Sequence, residues 1–375
     1  MLKCKINYFC KVIIEILKKL FTTSFCLFAL WSSAQTGTKV YPFLNVPVSA
    51  RQAVLGGDAV SVRDYDVNFA AINPALMNLD MDNRIGINYG SYIAGSNLGS
   101  INYVKDLTAG HFISVNARVL DFGKTPRTDE FGNVNGEFSA MDASFGVGYA
   151  YQFDDDFTIG ANVNYLTSKI DNYTSSAISA NAGVTYHNEQ SKETVALVFR
   201  NFGYQIKSYN GTKEQLPFRA DIGYTRILPE FPLAYTITYH DLQQFNISQS
   251  YDINGKEVGF GRKLMDHLSG GIELFPEQAF NIRMGYNVKR GNELAVLDQR
   301  NFSGLSFGFG IKISSFRFDY SHVRYHNADN VNQIGLMLDL VELSGNRRMG
   351  IKIKCQKKID KKTAKTPINK GFRAK

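Results

Sequence analysis

Two adjoining segments decide the fold: Phe302-Ser-Gly-Leu-Ser-Phe-Gly-Phe-Gly-Ile-Lys-Ile313 and Phe316-Arg-Phe-Asp-Tyr-Ser-His-Val-Arg-Tyr325. In the first, Leu305, Phe307, Phe309, Ile311 and Ile313 share one parity, while Ser306, Gly308, Gly310 and Lys312 share the other. In the second, Phe316, Phe318 and Tyr320 alternate with Arg317, Asp319 and Ser321. A side-chain period of two is that of a strand, so each segment has one apolar and one polar face. Only Ser314 and Ser315 separate them, the tight connection of a hairpin. Lys, Arg and Asp on the polar face are groups that an ordinary packed core does not absorb cheaply. Apolar outward and polar inward is the pattern of a transmembrane barrel.

The unit recurs. Working outward from it, the alternation predicts strands at about 84–93, 98–106, 111–120, 138–152, 156–168, 176–186, 193–202, 217–228, 232–242, 264–275, 278–288, 302–313, 316–325 and 331–340. An even number of segments, each near the length that crosses a bilayer at a tilt, implies an all-β, antiparallel transmembrane barrel of about fourteen strands. Phe280, Ile282, Met284 and Tyr286 oppose Asn281, Arg283, Gly285 and Asn287; Phe157, Ile159, Ala161, Val163 and Tyr165 oppose Thr158, Gly160, Asn162 and Asn164. A basic side chain facing lipid at mid-membrane costs about 2–4 kcal/mol, so Arg118, Arg219 and Arg283 are expected inside. The segment Val195–Arg200 alternates least well.

Connections test the reading independently. Asp154-Asp155, Leu228–Phe231, Phe275–Glu277 and Ser314-Ser315 are short, as periplasmic turns are. The intervening stretches 121–137, 203–216, 243–263 and 289–301 are long and polar, as outer loops are.

Composition agrees with this class. The 375 residues include 27 Phe, 20 Tyr and 32 Gly, which suits aromatic girdles and small lumen-facing residues. The net charge of +8 belongs to the two ends: residues 1–34 carry about +4 and residues 341–375 about +10, leaving about −6 for the body. A basic surface for nucleic acid is therefore not indicated, and no nucleic-acid motif occurs. Residues 1–34 read as a signal peptide, with Lys3, Lys5, Lys11, Lys18 and Lys19 ahead of an apolar run from Leu20 to Trp31 that is too short to span as a helix. After it only Cys355 remains, so neither an intramolecular disulfide nor a cysteine-based zinc site can form. Residues 341–375 read as a basic, disordered tail.

Residues 35–83 have another texture. Gly56-Gly57 permits backbone conformations closed to other residues, and Pro74 biases Asn73 away from helix. This is neither clean strand nor long helix. It is expected to be a hatch entering the lumen, ahead of a barrel over residues 84–340; a folded periplasmic segment is the alternative.

Here a resemblance enters. Tyr41-Pro-Phe-Leu-Asn-Val-Pro-Val-Ser-Ala-Arg51, Leu55-Gly-Gly57, Asn73-Pro-Ala-Leu76 and Thr128-Asp-Glu-Phe-Gly132 resemble the PorQ family, outer-membrane barrels of the Bacteroidetes type IX secretion system, across about Val40 to Leu340. That family is similar in turn to the fourteen-stranded FadL and PorV barrels. The resemblance implies a hatch marked by Arg51, Gly56, Gly57, Asn73, Pro74 and Ala75. It also implies a place in the outer membrane within a surface attachment complex, beside a PorZ-like surface protein, PorU and PorV, where cargo is joined to anionic lipopolysaccharide. Arg127, Asp129, Glu130 and Phe131 in an outer loop are the candidate partner contacts. The basic tail departs from the family pattern.

Enzymatic signals are weak. Gly304-Leu-Ser-Phe-Gly308 matches G-x-S-x-G, but that chemistry needs a serine on a strand-to-helix turn, and the alternation here runs straight through Ser306. The six histidines, His111, His187, His240, His267, His322 and His326, form no ligand pair at metal spacing. No catalytic residue, cofactor or metal is expected. Two functions remain: a non-enzymatic barrel that anchors secretion partners, and a FadL-type conduit for a small hydrophobic compound. A continuous apolar path through the lumen would mark the second.

Overall fold

The computed structural model describes residues 39–108, 110–294, 302–325 and 330–344. Fourteen antiparallel strands close into a barrel, each paired to its chain neighbours and β1 paired to β14. They are β1 Arg84–Ser91, β2 Asn97–Thr108, β3 His111–Thr128, β4 Val134–Gln152, β5 Phe157–Ile170, β6 Tyr173–Asn188 and β7 Glu193–Lys207. The remainder are β8 Arg219–Ile227, β9 Leu233–Tyr239, β10 Leu268–Leu274, β11 Phe280–Asn287, β12 Leu305–Ile313, β13 Phe316–Arg324 and β14 Asn330–Asp339. Each of the fourteen segments read from parity is a strand. In β11 the exposed and buried positions alternate through all eight residues, with Asn281, Arg283, Gly285 and Asn287 inside. Arg118, Arg219 and Arg283 are all buried in the lumen. The β12–β13 hairpin turns on Ser314, whose φ of 51° suits a two-residue turn between right-twisted strands.

The barrel is taller on one side. Strands β3 to β7 run 14–19 residues, while β8 to β14 run 7–10. About 9–11 residues suffice to cross, so the long strands continue beyond the bilayer. This corrects two of the expected outer loops. Residues 121–128 and 134–137 are strand, leaving only 129–133 as the tip of a projecting β3–β4 ribbon, and β7 takes up 203–207. Above the membrane no lipid imposes alternation, so both faces are polar and the ribbon reads as loop. Stretch 243–263 holds the start of helix α2 Phe260–Met265, and stretch 289–301 holds most of α3 Val288–Glu293; residues 295–301 lie outside those described.

The weak alternation near Arg200 has a cause. Val198 points inward but packs on Val48, Val60 and Ile72, so this part of the lumen wall is apolar. Asn201, at φ 58°, then carries a bulge that shifts the inward set from Ala196, Val198 and Arg200 to Asn201 and Gln205.

Residues 40–83 fill the lumen. The segment starts at the outer mouth, where Val40 donates to the Gln215 carbonyl at 3.0 Å and Tyr41, Phe43 and Leu44 pack with Leu98, Leu120, Leu166 and Leu216. It descends through the one-and-a-half-turn helix α1 Ala50–Val54, capped by Ser49, and several 3-10 turns to the periplasmic rim. There Leu55, Val62, Phe69, Leu76, Met77 and Met81 form a buried apolar cluster with Val104, Phe112 and Ala150 of the wall. The leader 1–34 lies outside the described residues, as does most of the tail. The tail's first residues are helical rather than disordered: Asp339 caps a single turn, α4 Leu340–Leu343.

Candidate functional site at the hatch

Hatch and wall are joined by buried charge. Arg51 on α1 is 4% exposed and meets hatch Asp64 at 2.7 Å, hatch Asp66 at 3.5 Å and Glu273 of β10 at 2.9 Å. Glu273 also lies 3.1 Å from Arg283 of β11, Arg283 lies 2.6 Å from Asp319 of β13, and Asp319 takes Arg317 at 2.9 Å. Arg317 returns to the hatch by donating to the Tyr65 hydroxyl. The result is a closed circuit through three strands and the hatch. Its members are spread over 268 residues of sequence; parity alone placed Arg283, Arg317 and Asp319 inside, and Glu273 was not foreseen.

A second cluster sits higher. Arg219 of β8 meets hatch Asp58 at 2.8 Å and Asp221 at 3.2 Å, while Arg200 of β7 meets Asp221 at 3.0 Å. Asn287 donates to the Asp58 carboxylate at 2.8 Å and to the Gly56 carbonyl at 3.1 Å. Burial alone would raise the Asp58 pKa, but Arg219, His240 and Arg200 outweigh it and hold the carboxyl at about 2. A carboxyl depressed below its unfolded value of about 3.9 adds stability that is complete above that value and is lost as pH falls through the folded one. Conductance of the reconstituted barrel should therefore stay at its closed level from pH 7 to about 4 and rise as pH approaches about 2. Asp58→Asn should conduct at pH 7; a tightly closed Asp58→Asn barrel would remove Asp58 as a latch.

The wall is shaped to receive this segment. Gly56 and Gly57 both sit at φ 86°, and a Cβ at Gly56 would stand 2.9 Å from the Gly270 backbone nitrogen of β10. Lumen-facing wall glycines mirror this approach: a Cβ at Gly160 would meet the Pro74 carbonyl carbon at 2.6 Å, and one at Gly183 would meet Asn73 Oδ1 at 2.3 Å. Asn73 is fully buried, accepting from the Ala75 amide at 3.1 Å and donating to the Val60 carbonyl at 2.9 Å. Pro74 and Ala75 thus form a wedge against β5. Wall asparagines complete the seam: Asn88 and Asn102 both donate to Asn68 Oδ1, and Asn162 donates to the Ala71 carbonyl. At mid-height a void of about 30 Å³ among Asn102, Asn116, Asn164 and Arg118 has room for about one water.

Arg51, Gly56, Gly57, Asn73, Pro74 and Ala75 therefore all lie inside the barrel against the wall. The four outer residues lie apart from them on the β3–β4 ribbon. Arg127 pairs with Asp171 at 2.5 Å, and Asp129 ties the tip by accepting from the amides of Phe131 and Asn133. Hydrogen bonds from Asn133, side chain first, hold the Asp129 carboxyl below the usual range. Phe131 is 89% exposed at the tip, beside exposed Glu130. Ser306 is the second residue of β12, and its hydroxyl donates to the Val54 carbonyl of the hatch at 2.7 Å, an anchoring role rather than a nucleophile's.

No family model matches the chain, and no curated protein matches it. Among solved structures it is similar to the Ralstonia pickettii toluene transporter TbuX, at 12% identity and a TM-score of 0.50 over 79% of this chain and 98% of that one. It is likewise similar to the Pseudomonas putida toluene transporter TodX, at 14% identity and a TM-score of 0.50 over 80% and 98%. A Pseudomonas aeruginosa FadL homologue aligns at 12% identity and a TM-score of 0.48 over 79% and 99%. The likeness is one of fold: the closed fourteen-stranded antiparallel barrel is that of the FadL-type barrels.

Proposed function

We propose that this chain is a non-enzymatic outer-membrane barrel whose lumen stays shut and whose work is done at its outer surface, as the anchor of a type IX attachment complex. What supports this is the seal: the hatch spans the lumen from outer mouth to periplasmic rim and is held by buried ion pairs and asparagine bonds. The lining at mid-height is polar, whereas a path for hydrocarbon calls for apolar walls. The tall side of the barrel carries the β3–β4 ribbon outward, with Arg127, Asp129, Glu130 and Phe131 near its tip. In this reading the ribbon meets a PorZ-like surface protein, with PorU and PorV in the same assembly and lipopolysaccharide around it.

A second reading is passage of a small hydrophobic compound past a displaced hatch. The fold likeness to toluene transporters favours it.

One preparation separates the two. A tagged barrel drawn from solubilised outer membranes should bring a PorZ-like surface protein with it, and replacing residues 122–138 by a short turn should abolish that recovery while the barrel still folds. In liposomes the same barrel should leave toluene entry at the protein-free rate. A barrel recovered alone that speeds toluene entry would establish the conduit instead.

A further inference from the structure

A cavity of about 330 Å³ opens on the periplasmic side, between the hatch and the ends of β6 to β12. Its volume falls in the range of about 300–1,000 Å³ typical of small-ligand sites. Neither functional reading above uses it.

Its charges are partly paired. Asp64 and Glu273 are held by Arg51 at 2.7 and 2.9 Å, and Glu277 by Lys192 at 2.5 Å. Two cations remain without a carboxylate within ion-pair distance among the described residues. Arg63 of the hatch lines the cavity with its Nε buried and without a hydrogen-bond partner. Lys312 of β12 rests its ammonium 4.4 Å from the centre of the Tyr65 ring. Tyr65 already carries the Arg84 and Arg317 guanidiniums at 4.9 and 5.1 Å, so Lys312 is added to a region crowded with positive charge. Burial lowers the Arg63 pKa, opposed by Asp80 and Glu189. These two carboxylates are exposed at the rim; Glu189 is 3.1 Å from His187. Leaving a guanidinium partly desolvated and unpaired costs free energy that an incoming anion offsets.

We propose that this cavity binds the free C-terminus of a peptide entering from the periplasm, with Arg63 and Lys312 holding the terminal carboxylate and Asp80 and Glu189 accepting from N–H groups nearer the mouth. The arrangement is bipolar, with the two cations half-buried and the two carboxylates exposed. A ligand with a single negative end and donors behind it matches that order, whereas a phosphate would bring a second charge into reach of the rim acids.

The test is fluorescence polarisation on the detergent-solubilised full barrel, with an N-terminally fluoresceinated Gly-Ala-Ala as probe. The free acid should bind saturably, and amidating its C-terminus or introducing Arg63→Gln should each weaken binding by about tenfold or more, the size of one charge-assisted hydrogen bond. Lys312→Gln should weaken it less. Heat-modifiable migration on a gel reports whether each variant folds; if Arg63→Gln fails there, Lys312→Gln, which removes only a cation over a ring, carries the comparison. Unlabelled Gly-Ala-Ala should displace the probe where free alanine does not. Equal binding of acid and amide, no effect of either substitution, or stronger displacement by phosphate than by acetate at equal ionic strength would each overturn the assignment. Displacement by alanine as effective as by the tripeptide would move the site to free amino acids.

Discussion

In Glu273→Ala the hatch should come away from the wall while the barrel stays closed. Glu273 is 2% exposed and serves three guanidiniums: Oε2 takes Arg51 Nη2 at 2.9 Å and Nε at 3.2 Å, and Oε1 stands 3.1 Å from Arg283 and 3.8 Å from Arg317. Without it, Asp64, Asp66 and Asp319 must balance three buried cations. Breaking a buried pair by removing one partner costs about 3–5 kcal/mol, because the partner's charge is left uncompensated. The wall keeps its backbone ladder on both sides of β10, and Arg283 and Arg317 keep Asp319, so the barrel stays closed. The cost therefore falls on hatch docking. Trypsin should cut after Arg51 or Arg63 in the variant and spare both in the parent, with heat-modifiable migration unchanged, and conductance in planar bilayers should rise. Glu273→Gln keeps the shape and loses the charge, so it should fall between the two. A Glu273→Ala barrel as protease-resistant and as tightly closed as the parent would mean that the circuit does not hold the hatch.

How much of this was legible beforehand follows from where the physics is local. Strand parity is imposed by lipid on one side and a polar lumen on the other, so Phe280–Asn287 or Leu305–Ile313 declare themselves residue by residue. The signal fades where those constraints lapse: above the bilayer, where the β3–β4 ribbon reads as loop, and at Asn201, where a bulge resets the parity. Hatch residues were recognisable through Gly56-Gly57 and Asn73-Pro74, whose backbone needs are written in the residue type. Their partners were not. Arg51 and Glu273 are 222 positions apart, and no periodicity links a hatch arginine to one glutamate among many. The same holds for Asp58 with Arg219. Parity placed Arg219 inside without saying what it would meet.

Wall glycines make the second large prediction, and a single carbon should suffice. Gly285 of β11 faces the lumen where α1 ends. A Cβ there would lie 1.9 Å from the Val54 carbonyl oxygen and 2.7 Å from the Gly56 amide nitrogen, both backbone atoms that no rotamer change can move aside. Overpacking that side chains can absorb costs about 1–3 kcal/mol, and here the hatch backbone itself must shift. That shift also pulls Val54 from Ser306, whose hydroxyl donates to the same carbonyl. Gly285→Ala should thus give a folded barrel with α1 displaced, seen as tryptic cleavage after Arg51 and a raised conductance. Gly99→Ala on β2 is the control on the outward parity: its Cβ would find its nearest neighbour at 4.0 Å, so the same methyl should change neither readout. Gly160→Ala, against Pro74 and Ala75 on the opposite wall, should loosen the 3-10 turns instead and leave α1 seated. If Gly285→Ala stayed closed like Gly99→Ala, the close fit of hatch to wall would have no part in the seal, and the shut lumen on which the anchor reading leans would lose its structural basis.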